Sequence, residues 1–472
     1  MDKQLKLALP KGRLLDGTAT LLRRAGWGLS GYHREVNYYH LKSKRFPHLR
    51  AKVFHEKDVP IQVAVGNYDL GICGLDWVEE LLVKYPSSAI VKVKNLGYGE
   101  STLYMAASRS AGGVSTRKEL LTKPGIMRIA SEYPNLAESF AVSLRLRRFS
   151  IFPLWGATEV YPPESADLAL ISVGTEGELL SYGLVPVSKV LNSSACLIAN
   201  ASSWATKDLS EVLTSIEDGL FIMEKPTSSA DVVRMPEVVT HRSTEADQSV
   251  VWLALPDGHQ QLPTLRLLSK AGIQIRDKSG SRRPTINLTG VMVKVIRPQD
   301  MPLQVANGNF DLAITGRDWL TEHLYQFPPS PVRELLDLKF GKVRLVAVVS
   351  KNLSVDDVYS LRQLNAERLV PFRVASEYVN IADKYARDNH LGQYRVIPTW
   401  GASEAFVPED ADLLIENTQT GRTIARHNLK IIDTLFESTA CLIGRADGVS
   451  SSVKGRRIES IIETLRVAVE DI

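Results

Sequence analysis

The chain has 472 residues, of which 44% are apolar and 23% charged, and its formal net charge is +4. This composition is typical of a globular protein and excludes a disordered or collagen-like chain, while the small net charge argues against nucleic acid as a partner. No apolar run reaches the roughly 18 residues of a membrane span, and no secretory signal precedes Pro10. The three cysteines form no C-x-x-C pair, as is typical of a reducing compartment, so the sequence predicts a cytoplasmic protein.

The predicted elements alternate between strand and helix along the chain. Residues 6–9 predict a short strand, and apolar residues at helical spacing predict a helix over 14–25 that ends at Gly26. Three further strands, each leading into a helix, are predicted at 69–74, 127–130 and 168–173. This alternation predicts an α/β fold with parallel sheets and with ligands at the carboxyl ends of the strands.

The second half of the chain repeats the first at an offset of about 245 residues. The segment Leu-Ala-Leu-Pro at 7–10 returns at 253–256, and Trp-Gly-Ala at 155–157 returns at 400–402. Because several such matches follow in the same order, they indicate tandem duplication of a whole protein. We predict a first copy at 1–225, a linker at 226–248 and a second copy at 249–472. These are called copy 1 and copy 2.

The turn after the first strand of copy 1 carries Lys11, Gly12 and Arg13, directly before a helix. Backbone N–H groups, a flexible glycine and two cations together suit a phosphate or pyrophosphate. The alternative is an ordinary strand-to-helix turn with exposed cations. Copy 2 has Asp257 and His259 at the matching positions, so the turn of copy 2 has lost this cationic charge.

A predicted strand of copy 2 ends at Glu416 and leads into a loop that opens a helix. The loop consists of Gln419, Thr420, Gly421, Arg422 and Thr423. Two hydroxyls and the loop amides can wrap a phosphomonoester, and the neighbouring acid can bind ribose hydroxyls; a capped helix start is the alternative. Copy 1 has Ile171, Glu176 and Glu178 at corresponding positions. Because two carboxylates repel phosphate, we predict that copy 1 has lost this role.

These motifs resemble those of ATP phosphoribosyltransferase, the first enzyme of histidine biosynthesis. The resembling segments are 8–14, 69–76, 96–99, 132–135 and 416–424. The resemblance covers nearly the whole chain, twice. It implies an α/β fold with two tandem copies of a two-domain periplasmic-binding-protein-like (type II) unit, which form an intramolecular pseudo-dimer. It also implies that N1 of ATP attacks C1 of phosphoribosyl pyrophosphate, that pyrophosphate leaves, and that Mg²⁺ accompanies the substrates.

The resemblance further implies partners and an oligomeric form. Only 31 residues follow Cys441, too few for the histidine-binding regulatory domain of the family's long form, so each copy resembles the short form. That form works as dimers, usually with a regulatory partner that resembles histidyl-tRNA synthetase. The duplication would supply such a dimer covalently, and the pseudo-dimer could assemble further. Neither nucleic acid nor a membrane is expected as a partner.

Site residues are carried over only where this sequence matches the family's motifs. The resemblance assigns catalytic roles to Glu416, Lys11 and Arg13, although the family usually has Asp where this chain has Glu416. It assigns ATP or pyrophosphate binding to Lys11, Gly12 and Arg13. No protein metal site is predicted. The residues assigned to phosphoribosyl pyrophosphate are Gln419, Thr420, Gly421, Arg422, Thr423, Arg282 and Arg283.

Three functions remain open at this point, because neither copy holds the complete set of motifs. The first is an active ATP phosphoribosyltransferase with one cleft, centred on copy 2 and completed by copy 1. The second is a non-catalytic relative that binds phosphoribosyl pyrophosphate or a nucleotide and regulates a catalytic partner. The third is a small-molecule sensor on the same fold.

Overall fold

The computed structural model describes residues 4–33, 39–109, 125–221, 249–276, 282–401, 403–446 and 452–470. The chain divides into two compact units. The first unit consists of Met1–Pro153, Tyr161–Arg242 and Trp400–Ala402. The second unit consists of Leu154–Val160, Ser243–Thr399 and Ser403–Ile472. A short segment of each copy is therefore counted with the unit that contains most of the other copy. The predicted linker at 226–248 lies outside the described residues.

Copy 1 is built from strands and helices that alternate as the sequence predicts. Its strands are β1 (Leu5–Lys11), β2 (His40–Lys42), β3 (Leu49–His55), β4 (Leu70–Gly74), β5 (Ile90–Asn95), β6 (Ser101–Ser108), β7 (Met127–Ser131), β8 (Phe149–Pro153), β9 (Leu168–Val173), β10 (Leu184–Ser193) and β11 (Ala195–Asn200). Its described helices are α1 (Leu15–Arg24), α2 (Asp58–Ala64), α3 (Leu75–Lys84), α4 (Pro134–Ser143), α5 (Glu176–Ser181), α6 (Ala201–Thr206) and α7 (Ser210–Phe221).

Copy 2 repeats this order of elements. Its strands are β12 (Val251–Pro256), β13 (Ile275–Arg276), β14 (Thr285–Ile286), β15 (Val291–Ile296), β16 (Leu312–Gly316), β17 (Val332–Asp337), β18 (Val343–Ser350), β19 (Phe372–Ser376), β20 (Tyr394–Pro398), β21 (Leu413–Thr418), β22 (Leu429–Ser438) and β23 (Ala440–Arg445). Its described helices are α8 (Gln261–Lys270), α9 (Met301–Ala306), α10 (Arg317–Gln326), α11 (Val358–Ala366), α12 (Val379–Asp388), α13 (Arg422–Arg426) and α14 (Val453–Glu470).

Each copy has two main sheets whose shared strands follow the same order, and β2 adds a sixth strand at the edge of the first sheet of copy 1. In copy 1 the strand orders are β2-β3-β1-β4-β11-β5 and β10-β6-β9-β7-β8, and in copy 2 they are β15-β12-β16-β23-β17 and β20-β19-β21-β18-β22. The predicted parallel pairing is confirmed for β1 with β3 and β4. It is wrong for β11, which runs antiparallel to β4 and β5. The sheets are therefore mixed, because the strands that carry the chain between the two sheets run in the opposite direction.

The central strands are apolar on both faces because helices cover both sides of each sheet. All five residues of β4 and of its counterpart β16 are buried. The turn after β1, the loop after β9 and their counterparts in copy 2 all lie at carboxyl ends of strands, where an α/β sheet binds its ligands. Among the described residues, no helix combines the length and the apolar character that crossing a bilayer requires.

Candidate active site

In copy 1 the cationic turn after β1 is bound to carboxylates of the protein. Arg13 Nη2 donates to Asp76 Oδ2 at 3.0 Å and lies 3.5 Å from Glu56 Oε2, and Nη1 donates to the Ser101 hydroxyl. Asp76 is fully buried. Burial raises the pKa of Glu56 above its ordinary value, although the charge of Arg13 acts against this rise. A bound pyrophosphate would therefore compete with two carboxylates for this guanidinium.

All three residues of this turn are exposed, so its two cations differ in their contacts and not in their exposure. The Lys11 ammonium lies 5.6 Å from the centre of the Tyr39 ring. Gly12 has a φ of 101°, which side chains other than glycine rarely adopt. Glycine is therefore required for the sharp turn that separates the two cations.

In copy 1 the loop after β9 is filled by a carboxylate of the protein. Gly174 N donates to Glu178 Oε2 at 2.9 Å, and the Tyr182 hydroxyl donates to Glu178 Oε1 at 2.9 Å. The Tyr104 hydroxyl donates to Glu176 Oε1 at 2.8 Å. The Gly174 amide, which could otherwise face a phosphate, is thus bound to Glu178. This contact is a structural reason for the predicted loss of phosphate binding in copy 1.

In copy 2 the loop after β21 is open. The Thr418 hydroxyl accepts from Gly421 N at 2.9 Å, and Gly421 has a φ of 72° at the start of α13. This bond and the left-handed glycine shape the turn. The side chains that this turn leaves exposed belong to Gln419, Thr420, Arg422 and Thr423. The hydroxyls that are predicted to wrap a phosphate therefore face solvent.

Glu416 lies at the end of β21, beside this loop. The Ser403 hydroxyl donates to one oxygen of its carboxyl group, and Asn417 N donates to the other at 2.9 Å. Burial raises the pKa of Glu416 well above its ordinary value, and the carboxylates of Glu377 and Glu404 raise it further. These surroundings shift the equilibrium of Glu416 towards its neutral form in the free protein.

In copy 2 the turn after β12 has become part of an ion-pair cluster. Asp257 Oδ2 lies 3.0 Å from Arg282 Nη1 and 3.1 Å from Arg297 Nη1. Arg282 Nε also lies 3.0 Å from Glu159 Oε1, in a segment that belongs to the same compact unit. Arg282 is thus paired with two carboxylates, whereas the sequence assigned it to phosphoribosyl pyrophosphate.

Arg283 and Asp300 also form hydrogen bonds to the segment Leu154–Val160, which belongs to the same unit. Arg283 Nη2 donates to the backbone carbonyl of Val160 at 2.8 Å. The carboxylate of Asp300, which precedes α9, accepts from Trp155 N at 3.0 and 3.2 Å. Asp300 is the cap residue of α9, but its side chain makes no capping bond. Both residues hold the segment Leu154–Val160, which the sequence could not indicate.

Both copies contain a buried aspartate bound to a tyrosine. The Tyr133 hydroxyl donates to Asp76 Oδ2 at 3.1 Å, and the Tyr378 hydroxyl donates to Asp318 Oδ2 at 2.6 Å. In each copy the tyrosine ring stacks on the tryptophan that follows the aspartate, with centroids 4.2 and 4.3 Å apart. Aspartate before a helix is often its cap, but Gly74 is the cap residue of α3 and Asp76 lies in the first turn. The repeated Asp-Trp pairs were the signal for this shared structure.

Comparison with known proteins finds one family in both copies. The sequence profile of the ATP phosphoribosyltransferase family (HisG) matches residues 55–218 and 297–467. The ATP phosphoribosyltransferase of Prosthecochloris aestuarii is 33% identical over 229 residues, which are 48% of this chain and 73% of the relative. That of Solibacter usitatus is 34% identical over 219 residues, 46% of this chain and 72% of the relative.

A solved structure is also similar to part of the chain. It is the ATP phosphoribosyl transferase (HisG:HisZ) complex from Thermotoga maritima, at 21% identity and a TM-score of 0.40, and the match covers 47% of this chain and 100% of that chain.

The raised pKa of Glu416 leads to a prediction about stability. In the wild type, the free energy of unfolding should fall as the pH rises above 4.5, the ordinary value for glutamate, because the folded state keeps a proton that the unfolded state has lost. The glutamine of Glu416→Gln does not titrate, so the free energy of unfolding of this variant should not show this fall. Urea denaturation measured over a pH series should give a flatter profile for the variant. Parallel profiles would contradict the assignment.

Proposed function

The chain belongs to the ATP phosphoribosyltransferase family, and we propose that it has one working cleft, that of copy 2. In the proposed reaction N1 of ATP attacks C1 of phosphoribosyl pyrophosphate. The N1–C1 bond forms, the bond from C1 to the pyrophosphate oxygen breaks, and pyrophosphate leaves with the bonding electron pair. One contrast carries the choice of cleft: the loop after β21 is open, whereas the loop after β9 is filled by Glu178.

In this proposal the loop after β21 holds the ribose 5-phosphate. The Thr420 and Thr423 hydroxyls and the loop amides donate to the phosphate oxygens, as such loops at helix starts do. Glu416 lies beside the loop and faces the ribose hydroxyls, which can donate to its carbonyl oxygen when the acid is neutral. Neither group needs to move a proton to or from the attacking atom.

Positioning and electrostatics account for most of the proposed catalysis. N1 of adenine is already a nucleophile, so the reaction needs no strong base. When the protein holds N1 in line with C1 and the leaving oxygen, the bimolecular step becomes effectively unimolecular. Negative charge develops on the departing pyrophosphate, and cations placed in advance stabilise it. Lys11 and Arg13 are the cations of the turn after β1, and binding of ATP or pyrophosphate by Lys11, Gly12 and Arg13 stays a prediction.

Magnesium enters this proposal with the substrate. Phosphoribosyl pyrophosphate would bind as its Mg²⁺ complex, in which the pyrophosphate oxygens are the metal ligands. Within the ranges that the structure describes, no group of three or more His, Cys, Asp or Glu side chains is arranged to hold a metal ion. In this proposal the protein binds and orients the complex.

The loop assignment predicts the effect of a charge at Thr420. Thr420→Glu should weaken binding of Mg²⁺–phosphoribosyl pyrophosphate by about a hundredfold or more, because like charges placed in contact cost several kcal/mol. Isothermal titration calorimetry would measure the dissociation constant. Thr175→Glu is the matched control, since Thr175 holds the same position in copy 1, where two carboxylates already stand. Equal losses in both variants would contradict the choice of copy 2.

The predicted role of Lys11 in copy 1 leads to a second testable outcome. Lys11→Ala should lower kcat by about tenfold and leave the affinity for phosphoribosyl pyrophosphate unchanged, because the loss is confined to stabilising the leaving group. A pyrophosphate-release assay measures this rate, and Lys189→Ala, which removes another exposed lysine, is the control. Turnover equal to the wild type would exclude the turn of copy 1 from the reaction.

The same assay separates the enzyme from the two other functions. Pyrophosphate release from ATP and phosphoribosyl pyrophosphate is expected for the enzyme, either alone or with a partner that resembles histidyl-tRNA synthetase. A regulatory relative would bind phosphoribosyl pyrophosphate without releasing pyrophosphate. A sensor of a different small molecule would do neither, and Thr420→Glu would leave its affinity for its own ligand unchanged.

A further inference from the structure

Copy 2 contains a continuous chain of hydrogen bonds that starts at Asn417, near the end of β21 and two residues before the loop. Asn417 Nδ2 donates to the Tyr378 hydroxyl at 2.7 Å, and this hydroxyl donates to Asp318 Oδ2 at 2.6 Å. Asp318 Oδ1 accepts from the Ser438 hydroxyl at 2.9 Å. Tyr378 is fully buried and Asp318 is 4% exposed, so water competes little for these bonds. The chain thus joins the loop to the start of α10, which follows the other sheet of copy 2.

The chemistry of the three groups fixes the direction of this chain. A carboxylate can only accept hydrogen bonds, so Tyr378 must donate its single proton to Asp318. Burial raises the pKa of Tyr378 well above its ordinary value, and the charge of Asp318 adds to the rise. The phenol therefore keeps its proton, and its oxygen remains available only as an acceptor. Asn417 must present its amide NH₂ group to that oxygen.

Asn417 lies between the two bonds that shape the loop. Its own backbone N donates to Glu416 Oε1 at 2.9 Å. The next residue, Thr418, accepts from Gly421 N at 2.9 Å. The side-chain bond from Asn417 to Tyr378 therefore fixes the position of Asn417. Asn417 in turn orients Glu416 through its backbone N and directly precedes Thr418, which shapes the turn.

Copy 1 has the same tyrosine and aspartate but lacks this connection to the loop. Tyr133 donates to Asp76 Oδ2 at 3.1 Å, as its counterpart does in copy 2. The position of Asn417 is occupied by Ser172, whose hydroxyl donates to the Ser101 hydroxyl at 3.1 Å. The copy whose loop is filled by Glu178 is thus also the copy in which the anchor has been replaced.

We propose that Tyr378 and Asn417 are positioning residues for phosphoribosyl pyrophosphate. They hold the loop after β21 in the orientation that receives the ribose 5-phosphate, and they do so without contacting the substrate. The proposal rests on the proposed function of the copy 2 cleft. It predicts that breaking the anchor raises the KM for phosphoribosyl pyrophosphate and leaves the KM for ATP unchanged.

Two matched variants test the anchor. Tyr378→Phe and Tyr133→Phe each remove a hydroxyl that donates to a buried aspartate, so both should lose a similar amount of thermal stability. Only Tyr378→Phe breaks a bond to a loop. We expect its dissociation constant for Mg²⁺–phosphoribosyl pyrophosphate to rise about tenfold, and that of Tyr133→Phe to change less than twofold. Calorimetry on the full chain measures both constants, and thermal unfolding checks that both variants fold.

Substitutions at Asn417 test the direction of the hydrogen bonds without altering the buried tyrosine. Asn417→Ser introduces the residue of copy 1 and should weaken binding about as much as Tyr378→Phe. Asn417→Asp should weaken it further, because a carboxylate would face a phenol oxygen whose proton is already donated. In the double variant Tyr378→Phe/Asn417→Asp this additional loss should disappear, which a double-mutant cycle would measure as coupling.

Each result bears on the proposal in one direction. Wild-type affinity in Tyr378→Phe, or equal losses in Tyr378→Phe and Tyr133→Phe, would overturn it. If Thr420→Glu still abolishes binding in that case, the proposed function stands and only the anchor fails. If the wild-type protein does not bind phosphoribosyl pyrophosphate, both proposals fall together. Additive effects of Tyr378→Phe and Asn417→Asp would also overturn the anchor.

Discussion

A hydrogen-bond donor that already serves a carboxylate of the protein is not free to serve a phosphate. This constraint accounts for the difference between the two copies. In copy 1 the loop amide of Gly174 is bound to Glu178, and in copy 2 the arginine side chain of Arg282 is bound to Asp257 and Glu159. In both places a carboxylate of the chain stands against groups that would otherwise suit an anionic ligand. The donors left accessible belong to different motifs in the two copies.

The parts of the fold that the two copies share are those that burial enforces. A buried aspartate needs hydrogen-bond partners, because leaving a buried acceptor unsatisfied costs about 1–3 kcal/mol, and more for a charged group. The pairs Tyr133–Asp76 and Tyr378–Asp318 are therefore retained, with the same stacked tryptophan. Glu178, in the first turn of α5, is only half-buried, so its identity affects stability less and can change with function.

The sequence predicted local structure well because local structure depends on nearby residues. The helix predicted over 14–25 is confirmed as α1, and the strand predicted at 168–173 is confirmed with the same bounds as β9. The pairing of Arg13 with Glu56 joins residues that lie 43 positions apart, and no periodicity indicates it. Nor could the sequence show that Asn417 bonds to Tyr378, because that bond depends on how β21 is placed beside the start of α12.

The partners of the two cations decide which of them can best serve an anion. Moving Arg13 to a pyrophosphate would leave Asp76 and Glu56 without their counter-charge, and uncompensated buried charges are strongly unfavourable. Lys11 is exposed, and its contact with the face of the Tyr39 ring is worth only about 0.5–1 kcal/mol at such a site. An anion at this turn would therefore draw its positive charge mainly from Lys11. Arg13 would then act indirectly, by neutralising the carboxylates beneath the turn so that an anion can approach Lys11.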